Sequence, residues 1–139
     1  MDKFRFMSPG WIEMARAQIT GVLAGKNLAG IDFTLCEEFT SPPDDLRRDN
    51  APSIGFFVRI ADGLVEVGDH PLEEADFKVV SEYDDALAIA RDPDAPAAQQ
   101  SAMAERMAEG RLRVMGDPAS VPAMIAELDI HLLLSSRTL

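Results

Sequence analysis

With one cysteine, Cys36, the chain has no intrachain disulfide to form, which fits a reducing compartment. Two histidines, His70 and His131, leave too little for a metal centre, because a zinc site needs three or four convergent ligands and no such spacing occurs. Basic residues are also scarce. Against 24 Asp and Glu stand 13 Lys and Arg, and a net charge of −11 repels phosphate backbones. No dense basic patch offsets that field, so nucleic acid is excluded as a partner. The opening "MDKFRFMSPGW" lacks a signal-peptide apolar run, and no stretch reaches bilayer-spanning length. The reading is a cytoplasmic protein with no stable membrane insertion. Catalytic triad, phosphate-cradling glycine loop and internal repeat are all missing, and no cofactor is implied.

What is present is the balance of a globular protein, 47% hydrophobic and 27% charged, in 139 residues that suit a single domain over 1–139. "SPGWIEMARAQITGVLAG" opens with Ser8 as N-cap and Pro9 at the first helical position. Trp11, Ala15, Ile19, Val22 and Leu23 then recur at helical spacing, and Gly25 or the following "KNLAG" ends the helix. In "IDFTLCEEF", Ile31, Phe33 and Leu35 alternate with polar residues as in a half-buried strand, and Cys36 reads as a buried structural thiol. "TSPPDDLRRDNAPS" is a loop.

"IGFFVRIADGLVEVGD" predicts a hairpin turning at Asp62-Gly63, with Phe56, Val58, Ile60, Val65 and Val67 on the strands. "ADFKVVS" makes a fourth strand, Phe77 and Val79 inward and Lys78 outward. "SEYDDALAIAR" is a helix capped by its serine, "QQSAMAERMAEG" a second helix ending at Gly110, and "RLRVMG" a fifth strand. The tail "DPASVPAMIAELDIHLLLSS" is helical, with Leu132, Leu133 and Leu134 covered either by the domain or by a second copy in a homodimer. The order gives an α/β (α+β) two-layer sandwich in which Phe56, Val58, Ile60, Val65, Phe77, Val79, Leu112 and Val114 face the helices. Arg59, Glu66, Lys78 and Arg113 point the other way, into solvent, where neighbouring strands would pair their charges; the functional alternative is a phosphate clamp for an acyl-coenzyme A, against which the net negative charge argues. The acidic pairs Glu37-Glu38, Asp44-Asp45, Glu73-Glu74 and Asp84-Asp85 read as solvated charge; on a strand, Glu37 and Glu38 face opposite sides and cannot share a site.

Two blocks in this order, "ADFKVVSEYDDALAIA" and "MAEGRLRVMGDPASVPAMIAEL", preceded by "FFVRIADGLVEVGD", resemble the sterol carrier protein type-two family. The likeness covers roughly Ile54 to Leu128 and suits a stand-alone bacterial-type member. It implies a mostly antiparallel five-stranded sheet covered on one face by helices, with an apolar tunnel between the layers. It also implies non-catalytic binding of a lipid, fatty acyl chain or sterol-like molecule. The tunnel wall would then come from Phe56, Val58, Ile60, Phe77, Val79, Met103, Met107, Leu112, Val114 and Met124. Methionine adapts to irregular guests. A sixteen-carbon chain buried there would gain roughly 12 kcal/mol before association costs, which explains why no polar motif need be visible.

Two departures stand out. "RDPDAPAAQQ" is longer and richer in proline than the family's link at that point, which would reshape the tunnel entrance. The chain ends "SRTL" rather than in a Ser-Lys-Leu-like peroxisomal signal. Two rival readings differ in class: an interaction or dimerisation module accessory to an enzyme of lipid, steroid or aromatic catabolism, and such an enzyme itself.

Overall fold

Ser8 accepts a hydrogen bond from the Trp11 backbone N–H at 3.2 Å and Pro9 takes the first helical position, so α1 (Pro9–Ala24) begins where its sequence dictates and ends at Gly25. The computed structural model describes residues 2–92, 105–122 and 130–139, with the side chains of Pro118, Ile130, His131 and Leu132 excepted. After α1 come β1 (Phe33–Thr40), β2 (Ser53–Ala61), β3 (Leu64–Gly68), β4 (Phe77–Glu82), α2 (Tyr83–Ala90), β5 (Leu112–Gly116) and α3 (Ile130–Ser135). A helical turn over 105–108 precedes β5 and closes on Gly110, whose φ of 76° only glycine adopts freely.

The five strands lie in the order β3-β2-β1-β4-β5. Asp62 and Gly63, both at positive φ, make the two-residue turn between β2 and β3. Three of the four pairings are antiparallel; β1 and β4 run parallel. The registers put Phe33, Leu35, Glu37 and Phe39 of β1 on one face with Ile54, Phe56, Val58 and Ile60 of β2. Phe77, Val79 and Ser81 of β4 share that face, as do Leu112 and Val114 of β5. This inner face packs on α1, α2 and α3 around a cluster that includes Trp11, Ile19, Leu23, Phe39, Phe56 and Ile60.

The outer face is not simply solvated. β4 lies beside β1, with β2 and β1 between it and β3, so residues 69–76 cross the outer side of those two strands. Along that path His70 meets the Phe57 ring at 5.2 Å, and the Leu72 N–H donates to Cys36 Sγ at 3.3 Å. Pro71 stands where Gly55 leaves room, since a Cβ at Gly55 would come within 3.1 Å of it.

This strap corrects the expectation for Lys78. Its side chain points outward as the register requires, yet the residue is only 7% exposed. Nζ donates to Leu72 O at 2.6 Å and pairs with Glu38 at 2.9 Å beneath the strap. Phe57 is covered for the same reason, which leaves β2 buried on both faces over most of its length. Arg59 and Arg113 remain exposed, and Arg59 pairs across strands with Glu66 at 3.5 Å.

Ser81 does not cap α2. It is held in the ladder opposite Phe39 and Leu112, so the strand runs straight into the helix and Glu82 takes the cap position without a side-chain hydrogen bond. The chain ends also meet. Phe4 and Thr138 form a parallel bridge, and the Trp11 indole N–H donates to Thr138 Oγ1 at 2.9 Å. Leu134 packs against the core, whereas Leu133 is 39% exposed, which corrects the expectation that all three tail leucines are covered. At 3.6 residues per turn, consecutive leucines on α3 fan out around its axis and cannot all face inward.

Candidate functional site

Aromatic rings fix one wall of the space between sheet and helices. Phe6 lies edge-on to Trp11 at 4.9 Å and against Phe39 at 5.2 Å and Tyr83 at 5.6 Å, while Trp11 meets Phe56 at 5.8 Å. Their polar tips are engaged by the protein itself. Tyr83 Oη donates to Phe6 O at 2.9 Å, and the Trp11 N–H is held by Thr138.

Behind these rings is a cavity of about 240 Å³. Its floor is Glu37, Phe56, Val79, Ser81 and Leu112 from the inner face of the sheet; Ala86, Ile89 and Ala90 of α2 face them, with Trp11 and Leu134 at the side. A smaller cavity of about 90 Å³ adjoins it, lined by Ile19, Leu23, Phe33, Leu35 and Val58. Glu37, Phe56 and Leu134 belong to both walls.

Three charged groups reach the larger cavity, and they differ in kind. Asp85 and Arg106 approach each other at 3.8 Å, and Arg111 donates to Asp85 Oδ1 at 2.6 Å. Asp85 Oδ2 is buried and accepts no hydrogen bond among the described residues. Glu37 has neither hydrogen bond nor ion pair among the described residues. Glu37 is half-buried, reaching the cavity between Phe56 and Val79, and the desolvation it suffers there pushes its carboxyl up to about 7.

Of the residues expected to form a ligand wall, Phe56, Val79 and Leu112 line the larger cavity and Phe56 and Val58 the smaller. Ile60 is fully buried on the same face, in the packed core rather than in either wall, and Phe77 and Val114 are half-buried there. Met107 is 50% exposed and lines neither cavity. Met103 and Met124 lie outside the described residues. Sequence reasoning passed over Glu37, although the period-two pattern contained it: Phe33, Leu35, Glu37 and Phe39 are one face.

Other reactive groups sit elsewhere. Cys36 is on the opposite face of the sheet, under the strap, and burial raises its thiol pKa. His70 is exposed beside Phe57. Among the described residues no group of three or more His, Cys, Asp or Glu could hold a metal ion, and no helix is long and apolar enough to cross a membrane.

An antiparallel-rich five-stranded sheet with one parallel pair, covered by helices over an apolar cavity, is the sterol-carrier type of α+β fold. In particular, the crystal structure of sterol carrier protein 2 matches with a TM-score of 0.55 at 12% identity, over 95% of each chain. The solution structure of a conserved hypothetical protein from Thermus thermophilus, described as a candidate sterol carrier protein, matches with a TM-score of 0.54 at 11% identity, over 99% of this chain and 93% of that one. No family model and no curated protein matches the sequence. The resemblance drawn from the residues is therefore met at the level of the fold.

Proposed function

We propose that this domain binds an apolar molecule, a lipid or acyl chain in the broad sense, between its sheet and its helices, and that it does so without chemistry. The observation that carries the reading is the cavity wall itself. Nine of its thirteen lining residues are Phe, Trp, Val, Leu, Ile or Ala, Trp11 has already spent its polar atom on Thr138, and Asp85 and Arg106 are paired with each other. The likeness to a sterol carrier protein supports the same class of ligand. Among the described residues, no nucleophile hydrogen-bonded to a base lines the cavity, and the thiol that could serve as one is on the far face.

Ala86→Phe tests this. Ala86 projects from α2 into the larger cavity, so a ring there fills ligand space. In titrations with a neutral fluorescent lipid, the variant should lose about tenfold or more in affinity with little change in melting temperature. A close-packed site would instead lose about 1–3 kcal/mol to overpacking. Wild-type protein that takes up no lipid from a total membrane extract, read by native mass spectrometry, or a variant that binds as well as wild type, refutes the proposal.

A further inference from the structure

We propose that Glu37 is the polar anchor of the cavity, and that it selects an apolar ligand carrying a hydroxyl over one carrying a carboxylate. This rests on the binding reading above and names the class of ligand.

Glu37 sits in the middle of β1, between Leu35 and Phe39 on the inner face, paired with Phe56 on one side and Val79 on the other. An ionisable side chain in that setting is costly unless something satisfies it. Solvent does so for the exposed acids of this chain, Lys78 does so for Glu38 on the far face, and Arg111 and Arg106 do so for Asp85. Nothing among the described residues does so for Glu37, and it stands where the two cavities meet. The place of its missing partner is the space a ligand would fill.

The chemistry of that partner follows from the carboxyl. In its neutral form it offers one O–H donor and an acceptor oxygen; ionised, it only accepts. A ligand hydroxyl, which both donates and accepts, satisfies either form. A ligand carboxylate would bring a second negative charge beside a group that burial already resists ionising, and one of the two would have to stay protonated. An alkylammonium could pair with ionised Glu37, but only after a strongly hydrated cation had been stripped of water inside an apolar wall. The other charged groups facing this space are Asp85 from α2 and Arg106 from the helical turn before β5. They line only the larger cavity and are bound to one another, so Arg106 does not stand ready to neutralise a ligand carboxylate at Glu37.

The test uses dodecanol, dodecanoate and dodecylamine with the full chain, read through the fluorescence of its only tryptophan, Trp11, which lines the cavity. At mildly alkaline pH, wild type should bind dodecanol about tenfold or more tighter than dodecanoate, the worth of one good buried hydrogen bond. Glu37→Leu should close that gap by weakening the alcohol. Glu37→Gln, whose amide still donates and accepts, should keep dodecanol close to its wild-type affinity while dodecanoate gains. A purely structural role for Glu37 would move all three ligands together. Dodecanoate or dodecylamine binding wild type more tightly than dodecanol, or a gap that survives in Glu37→Leu, overturns the assignment. Equal binding of all three sinks the anchor alone; no binding of any of them sinks both the anchor and the binding reading.

Discussion

The unpartnered carboxyl in the cavity should leave a measurable mark on folding even without ligand. Glu37 ionises near its ordinary value of 4.5 in the unfolded chain and at about 7 in the folded protein. Between those two values the folded state holds a proton that the unfolded state has released, so raising the pH favours unfolding. The loss accumulates through that window and is complete above it. At about 1.4 kcal/mol per unit of pKa difference, it amounts to roughly 3 kcal/mol. Glu37→Gln keeps the shape and removes the titration. Urea unfolding of delipidated wild type and variant across that pH range should therefore show wild type falling behind the variant by about 3 kcal/mol on the alkaline side. Glu38 is held below its usual range, against the push of burial, by hydrogen bonds from Lys78 and Ser53. Asp45 and Asp69 are held low by Arg5 and Arg48. These carboxylates lose stability at lower pH, in the opposite direction and in both proteins, so they cancel in the difference. Wild-type and variant curves that run parallel through the window would refute the placement of Glu37 in an apolar, unpartnered site.

Two further changes probe the frame that holds the cavity. Lys78→Met should destabilise by about 2–4 kcal/mol in urea unfolding, because it strips both Glu38 and Leu72 O of a buried donor, and adding Glu38→Gln should recover part of the loss. Gly116→Ala should lower the melting temperature by an amount equivalent to about 1–3 kcal/mol, since φ there is 99° and a Cβ would come within 2.2 Å of Asp76 O; an unchanged melting temperature would mean that β5 ends differently.

Much of the architecture was legible because it is local. Ser8-Pro9 starts a helix, Asp62-Gly63 turns a hairpin, and alternation assigns Phe56, Val58, Phe77, Val79 and Leu112 to one face whatever their neighbours are. Alternation does not say which strand lies beside which. The fourth strand follows the third in sequence yet pairs with the first, and only the resulting strap explains why Lys78 is buried and β2 covered twice. Glu37 was hidden for another reason. Its parity put it inside, but a charge beside a second charge reads as solvated surface, and a cavity has no signature in sequence apart from the core around it. Met107 erred in the opposite sense: an apolar residue at helical spacing that the fold leaves at the surface.

The strap across the outer face also bears on how a guest could enter. A guest between sheet and helices exchanges more readily when those layers part, and a sheet with apolar packing on one side alone would lose most of its support at that moment. Here the central strands are clasped from behind by His70, Pro71 and Leu72 and by the Lys78–Glu38 pair. When the helical layer breathes, the floor keeps a second set of contacts. Its amides should stay protected from hydrogen exchange through openings that expose α2, so loading and unloading need not be rehearsals of unfolding.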